Sequence, residues 1–145
     1  MRILGIDIGS KRTGIAISDE LGITAQGLNT IESEKDLISR LKDIIKSEGV
    51  NEVVIGLPLN MNGSAGPQAE KAIKFCDLLK EEISIPVKLW DERMTTVEVE
   101  RVMIEADISR HKRKKKIDKL AAQVMLQSYL NSQTRHCEER SDEAI

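Results

Sequence analysis

Residues 2–18 read RILGIDIGSKRTGIAIS and predict two β-strands joined by a tight turn. The segments 2–8 and 13–18 are mostly apolar and rich in β-branched side chains, whereas residues 9–12 carry the glycine and polar side chains typical of a turn. Because the connection is this short, we expect the two strands to pair antiparallel. A third strand over residues 23–30 would complete a three-stranded meander.

The chain after this meander alternates between helical and strand patterns. The predicted elements are, in order, a helix from an N-cap at Ser33 to Gly49, a strand at 53–57, a helix with Pro67 in its first turn, a strand at 85–90, a helix from Thr95 to Ala106 and a last helix over 117–130. This order predicts an α/β fold with one mixed sheet and helices on its faces. We expect one domain over residues 1–131 and a disordered tail over residues 132–145.

Composition excludes several classes of protein. The 145 residues suit one domain, and an aromatic content of 2% leaves too few rings for a platform that stacks several bases. Cys76 and Cys137 have no metal-binding or disulfide spacing, as expected for reduced thiols. No apolar run approaches the roughly 18 residues of a membrane span, and Asp7 interrupts any signal-peptide core. We therefore expect a cytoplasmic protein with no membrane partner.

The net charge of −2 conceals two oppositely charged segments. Residues 134–145 hold four acids and two bases, so they account for the whole net charge. Residues 110–116, in contrast, hold six Lys or Arg side chains and one His. This run predicts a binding site for the phosphate backbone of a nucleic acid, and Lys11 and Arg12 would contribute further phosphate contacts. The alternative is a solvated or targeting run.

Acidic residues stand at the ends of three predicted elements. Asp7 lies among apolar residues near the end of a strand that should be central, where an unpaired carboxylate is costly. Asp91 and Glu92 follow another strand, at the end where α/β sheets gather ligands. Asp118 opens the last helix and shares a helical face with the residues at 121, 122, 125 and 129. These three sites could converge if the fold brings the element ends together.

Each acid also has a structural interpretation. The turn at 9–12 could donate hydrogen bonds to Asp7, and Asp118 could be a solvated first-turn acid. The pair Asp91-Glu92 could interact with a helix dipole or with Arg93. If the acids instead converge, divalent cations would have to offset their repulsion. Mg²⁺ uses one or two carboxylates plus phosphate oxygens, and a pair of such ions supports phosphodiester hydrolysis.

Four ordered blocks of the sequence resemble the YqgF/RuvX family of bacterial RNase H-like nucleases. The blocks are residues 5–16 (GIDIGSKRTGIA), 54–64 (VIGLPLNMNGS), 91–96 (DERMTT) and, as one block in two parts, 117–123 (IDKLAAQ) with 126–130 (LQSYL). The resemblance spans residues 1–131. A phosphate loop of the Walker type is excluded for residues 9–14, because the Gly-Lys-Ser/Thr ending is missing and a strand follows.

The resemblance implies an RNase H-like fold with a five-stranded mixed sheet and a metal-dependent nuclease activity. The family's acidic positions correspond to Asp7, Glu92 and Asp118, with Asp91 as the alternative to Glu92. The implied cofactor is Mg²⁺, with Mn²⁺ as an alternative. The residues assigned to substrate binding are Lys11, Arg12, Arg93, Arg110, Lys112, Arg113, Lys114, Lys115 and Lys116.

Our prediction is an endonuclease acting on structured RNA, with the 5′ end of the 16S rRNA precursor as its substrate. Two alternatives stay open: a second nuclease activity, the resolution of Holliday junctions in branched DNA, and a non-catalytic RNA-binding assembly factor. Junction resolution usually needs two active sites in a symmetric dimer. The oligomeric state is not predicted.

Overall fold

A computed structural model of the chain describes residues 1–9, 12–32, 36–60, 62–91 and 121–133. Five strands are present: β1 (Arg2–Ile8), β2 (Thr13–Ser18), β3 (Ala25–Ile31), β4 (Val50–Leu57) and β5 (Val87–Asp91). The helices are α1 (Leu37–Glu48), α2 (Pro67–Glu82) and α3 (residues 121–133). The predicted helix at 95–106, the basic run at 110–116 and residues 134–145 lie outside the described residues.

The described strands form one five-stranded sheet in the order β3-β2-β1-β4-β5. The β1–β2 and β2–β3 pairs are antiparallel, and the β1–β4 and β4–β5 pairs are parallel. Parallel neighbours need long crossover connections, which here include α1 and α2. The predicted mixed sheet, with an antiparallel meander and parallel strands, is confirmed.

Helices cover both faces of the sheet, so the central strand β1 is buried on both sides. Its even-numbered residues Leu4, Ile6 and Ile8 belong to one apolar core, which also contains α1 and α2 side chains. Its odd-numbered residue Ile3 belongs to a second core, beneath α3. Because side chains alternate along a strand, this division assigns every β1 residue to one face.

Element boundaries broadly follow the sequence pattern, and the differences include the starts of α1 and β4 and the end of α3. Gly49 ends α1 in the left-handed conformation (φ 66°), as its position predicted. The N-cap position of α1 is occupied by Asp36 instead of the predicted Ser33, which lies outside the described residues. β4 begins directly after Gly49 because Val50 already pairs with Arg2 of β1. α3 continues to residue 133, beyond the predicted end at 130.

Candidate active site at the carboxyl edge of the sheet

The parallel strands β1, β4 and β5 all end at one edge of the sheet, which is where open α/β sheets bind ligands. Asp7 is the penultimate residue of β1, and its backbone pairs with Gly14 of β2. Its side chain is half-buried. Because Gly14 has no side chain, the Asp7 carboxylate has no competing group from the paired position of β2.

Asp7 lies on the face of the sheet that α3 covers. Its neighbours Ile6 and Ile8 point into the core beneath α1 and α2, and strand alternation turns Asp7 the other way. The same alternation puts Asp7 on the side of Ile3 and Gly5. The acid is therefore held by a rigid central strand and faces the last helix.

Asp91 lies on the opposite face. It pairs with Leu57 of β4, and the Leu57 side chain packs against the core beneath α1 and α2. Its neighbour Trp90 instead packs against the α3 core. Asp7 and Asp91, the described acids at the ends of β1 and β5, thus project from different sides of the sheet.

The turn between β1 and β2 closes beside Asp7. The Gly9 N–H donates a 2.9 Å hydrogen bond to the Arg12 carbonyl oxygen. A Cβ at position 9 would lie 2.6 Å from that oxygen, so only glycine allows this closure. The Gly9 amide is therefore engaged within the turn. The Arg12 side chain is partly exposed, and its Nε lies 3.6 Å from Glu32 Oε1.

α3 crosses β1 at very short range and runs antiparallel to it. A Cβ on Gly5 would lie only 3.0 Å from Leu126 Cβ, so the missing side chain lets the helix approach. Further along α3, Tyr129 Oη donates a 2.7 Å hydrogen bond to Glu52 Oε1, and Glu52 pairs with Ile3. Going forward along α3 from Leu126 to Tyr129 therefore corresponds to going backward along β1 from Gly5 to Ile3. The amino-terminal end of α3 is directed towards Asp7.

Glu52 is the buried centre of a polar cluster that sequence reasoning missed, and the Lys88 side chain of this cluster is largely exposed. Glu52 is 6% exposed, and Lys88 Nζ lies 3.0 Å from the same oxygen that Tyr129 contacts. Burial and the Glu52 hydrogen bond raise the pKa of Tyr129, and the hydrogen bond to Glu52 raises the pKa of Lys88. Glu52 directly precedes the predicted strand at 53–57 and follows the polar Asn51, so no local pattern marked it as buried.

Two glutamines of α3 fix the helix to the start of β3. The Ala25 N–H donates to Gln127 Oε1 at 2.9 Å, and Gln127 Nε2 donates to the Ile23 carbonyl at 2.9 Å. Gln123 Nε2 donates to the Ala25 carbonyl at 3.2 Å. Their spacing of four residues places both on one face of the helix, and this spacing was the available sequence signal.

Most of the predicted site residues lie outside the described residues. These are Lys11, Glu92, Arg93, Arg110, Lys112, Arg113, Lys114, Lys115, Lys116 and Asp118. In the part of the chain that the structure describes, no three His, Cys, Asp or Glu side chains form a metal-binding group. Within the same ranges, no helix has the length and apolar character that crossing a membrane requires.

Comparison with known proteins identifies the family. The sequence profile of RuvX, described as Holliday junction resolvase, matches residues 1–132. A Clostridium acetobutylicum protein named "Putative pre-16S rRNA nuclease" is 54% identical over 134 residues, which cover 91% of this chain and 99% of that protein. A protein of the same name from Clostridioides difficile is 56% identical over 132 residues, covering 90% of this chain and 94% of the relative.

Solved structures of resolvases share the fold. Thermus thermophilus RuvC in complex with a Holliday junction substrate superposes with a TM-score of 0.57 at 14% identity, covering 92% of this chain and 96% of that one. The fowlpox virus Holliday junction resolvase gives a TM-score of 0.53 at 21% identity, covering 91% and 99%. Since the family profile spans residues 1–132 and bacterial relatives exceed half identity, this chain belongs to the RuvX family, as its four sequence blocks indicated.

Proposed function

We propose that the protein is a metal-dependent endonuclease whose site is built around Asp7. One observation carries this proposal: a half-buried carboxylate lies near the carboxyl end of a central strand, on the face that α3 approaches with its amino-terminal end. A carboxylate at this edge offers the oxygen ligands that hard divalent cations prefer. Membership of a family described as resolvases supports a role for this acid in nucleic-acid hydrolysis.

Glu92 and Asp118 are the proposed partners of Asp7. Trp90 lies on the α3 face and Asp91 on the other, so a further extended residue would return to the face of Asp7. This alternation favours Glu92 over Asp91 as a ligand. Residues 126, 122 and 118 repeat at one helical turn, so extending α3 towards its amino terminus would carry Asp118 towards the same edge.

The proposed donor set consists of carboxylate oxygens, which suit Mg²⁺, or Mn²⁺ as the alternative. Such ions, when bound, lower the pKa of a water nucleophile and stabilise the leaving oxygen of a phosphodiester. Asp7, Glu92 and Asp118 would hold them. Lys11, Arg12, Arg93 and the basic run at 110–116 would hold substrate phosphates and so position the cleaved strand.

We infer that the substrate is structured RNA, namely the 16S rRNA precursor, processed in the cytoplasm. The support is the name carried by bacterial relatives that are more than half identical over nearly the whole chain. Branched DNA is the second candidate, because the family profile is described as a Holliday junction resolvase. With aromatic residues at only 2% of the chain, recognition would depend on phosphate positions more than on base stacking.

The deciding experiment compares the wild type with Asp7→Asn and with a matched control, Asp77→Asn. Asp77 is an exposed acid of α2 and lies outside the proposed site. Each protein is incubated with a 16S precursor and, separately, with a four-way DNA junction, with Mg²⁺ or with EDTA. We expect Mg²⁺-dependent RNA cleavage by the wild type and Asp77→Asn only.

Other results would change the conclusion. If the protein cleaves the DNA junction but not the RNA, the substrate is branched DNA and the proposed site around Asp7 still stands. Equal cleavage by the wild type and Asp7→Asn would exclude Asp7 as a catalytic residue. Salt-sensitive RNA binding without cleavage in any metal would favour an assembly factor.

A further inference from the structure

We propose that Tyr129, Glu52 and Lys88 form a positioning cluster for the proposed carboxylate site, by fixing where α3 lies along the sheet. The inference rests on the proposed function and extends it to residues that do not touch substrate. The cluster lies towards the amino-terminal ends of β4 and β5, away from the edge that carries Asp7. It would therefore act on the site only through α3.

Two donors of the cluster share one buried carboxylate oxygen, which restricts where Tyr129 can lie. Tyr129 is 3% exposed and Glu52 is 6% exposed, and both Tyr129 Oη and Lys88 Nζ contact the same carboxylate oxygen, at 2.7 and 3.0 Å. A buried carboxylate that lost these partners would keep its desolvation cost without compensation. The ring of Trp90 packs edge-on against Tyr129 at a centroid distance of 5.3 Å, which restricts the phenol further.

The cluster limits sliding of α3 in a way that apolar packing does not. Leu126 sits over Gly5, which has no side chain that could hold Leu126 at one position along β1. A hydrogen bond, in contrast, weakens steeply when its donor moves, and a shift by one helical turn would displace Tyr129 by about 5.4 Å. Tyr129 and Leu126 together therefore fix both the rotation and the translation of the helix.

This placement matters because α3 leads towards Asp118. With Leu126 over Gly5 and Tyr129 beside Glu52, the preceding turn of the helix, which begins with Ala121 and Ala122, is directed towards Asp7. An error of about 1 Å in the position of a catalytic group can cost about 100-fold in rate. A hydrogen bond on one end of α3 can thus control a ligand set at the other.

Tyr129→Phe tests the proposal, because it removes the hydrogen bond and keeps the ring beside Trp90. Ile17→Val, in the core on the opposite face, is the control for a general loss of stability. Mn²⁺ affinity is measured by calorimetry without substrate, and kcat and KM are measured with the cleaved substrate. We expect Tyr129→Phe to weaken Mn²⁺ binding and lower kcat by about tenfold each, with KM unchanged. Ile17→Val should change none of them.

Glu52→Gln supplies a second variant, since its amide oxygen can still accept the Tyr129 hydrogen bond. We expect it to retain most of the wild-type Mn²⁺ affinity. Identical Mn²⁺ affinity and kcat in Tyr129→Phe and Ile17→Val would overturn the positioning role while leaving the nuclease site intact. A different result would exclude the carboxylate site itself: either the wild type binds no Mn²⁺, or Asp7→Asn binds Mn²⁺ as tightly as the wild type does. In that case the positioning role is excluded as well.

Discussion

The hydroxyl group of Tyr129 donates a hydrogen bond of 2.7 Å to Glu52 Oε1, across 77 positions of sequence and between a helix and a strand that are both buried there. The same carboxylate oxygen is 3.0 Å from Lys88 Nζ on the next strand. Three elements are thus joined at one atom.

Removing the Tyr129 hydroxyl should destabilise the protein. In Tyr129→Phe the Glu52 carboxylate remains buried with one hydrogen bond fewer, which costs about 1–3 kcal/mol. Urea unfolding at neutral pH measures this as a lower midpoint with an unchanged m-value. Unaltered stability would show that water replaces the hydroxyl.

Alkaline pH should destabilise the protein through the same cluster. Burial and the Glu52 hydrogen bond raise the pKa of Tyr129 above 10.0, and the Glu52 hydrogen bond raises the pKa of Lys88 above 10.5. The folded state therefore binds more protons than the unfolded state in this range. The contribution of Tyr129 and Lys88 to the free energy of unfolding is fully present below pH 10 and is lost as the pH rises through their raised pKa values. Melting temperatures from pH 8 to 12 should fall more steeply for the wild type than for Tyr129→Phe.

A methyl group at position 5 should push α3 away from the sheet. The Cβ of Gly5→Ala would lie 3.0 Å from Leu126 Cβ, so the contact must open, at a cost of about 1–3 kcal/mol. Ser47→Ala, at an exposed position of α1, is the control for a substitution that opens no packed contact. Equal unfolding midpoints in the two variants would mean that α3 adjusts without strain.

Acid should weaken the turn between β2 and β3. Asp19 Oδ1 accepts hydrogen bonds from the Ile23 and Thr24 amides at 2.7 and 3.2 Å, and the Ile23 bond in particular lowers the Asp19 pKa below 3.8. Its contribution is present above pH 3.8 and is lost as pH falls through the lowered value. Asp19→Asn should show a shallower loss of melting temperature between pH 5 and 2 than Asp77→Asn does.

Local patterns were sufficient to predict the sheet. The apolar, β-branched runs in β1 and β2, the short turn at residues 9–12 and the apolar run in β4 are each recognised from neighbouring residues alone. Asp7 could be recognised for the same reason, since a single acid interrupts a continuous apolar strand.

The interactions that fix α3 could not be predicted in this way. Glu52 is buried because its partners come from β5 and α3, and no local pattern identifies partners so distant in sequence. Gly5 has the same limitation, because its role depends on Leu126, which lies on the last helix. Sequence periodicity determines which face of an element is apolar, but it does not determine the register between two faces.

The two glutamines of α3 also bear on aggregation. β3 is an outer strand of the described sheet, and such strands present backbone groups that can pair with another chain. At Ala25, however, the N–H and the carbonyl are both occupied by side-chain amides, from Gln127 and Gln123. Because an amide offers the same donor and acceptor as a peptide bond, the helix caps this end of the edge strand as an extra strand would. At this end of β3, α3 therefore blocks pairing with a strand of another chain.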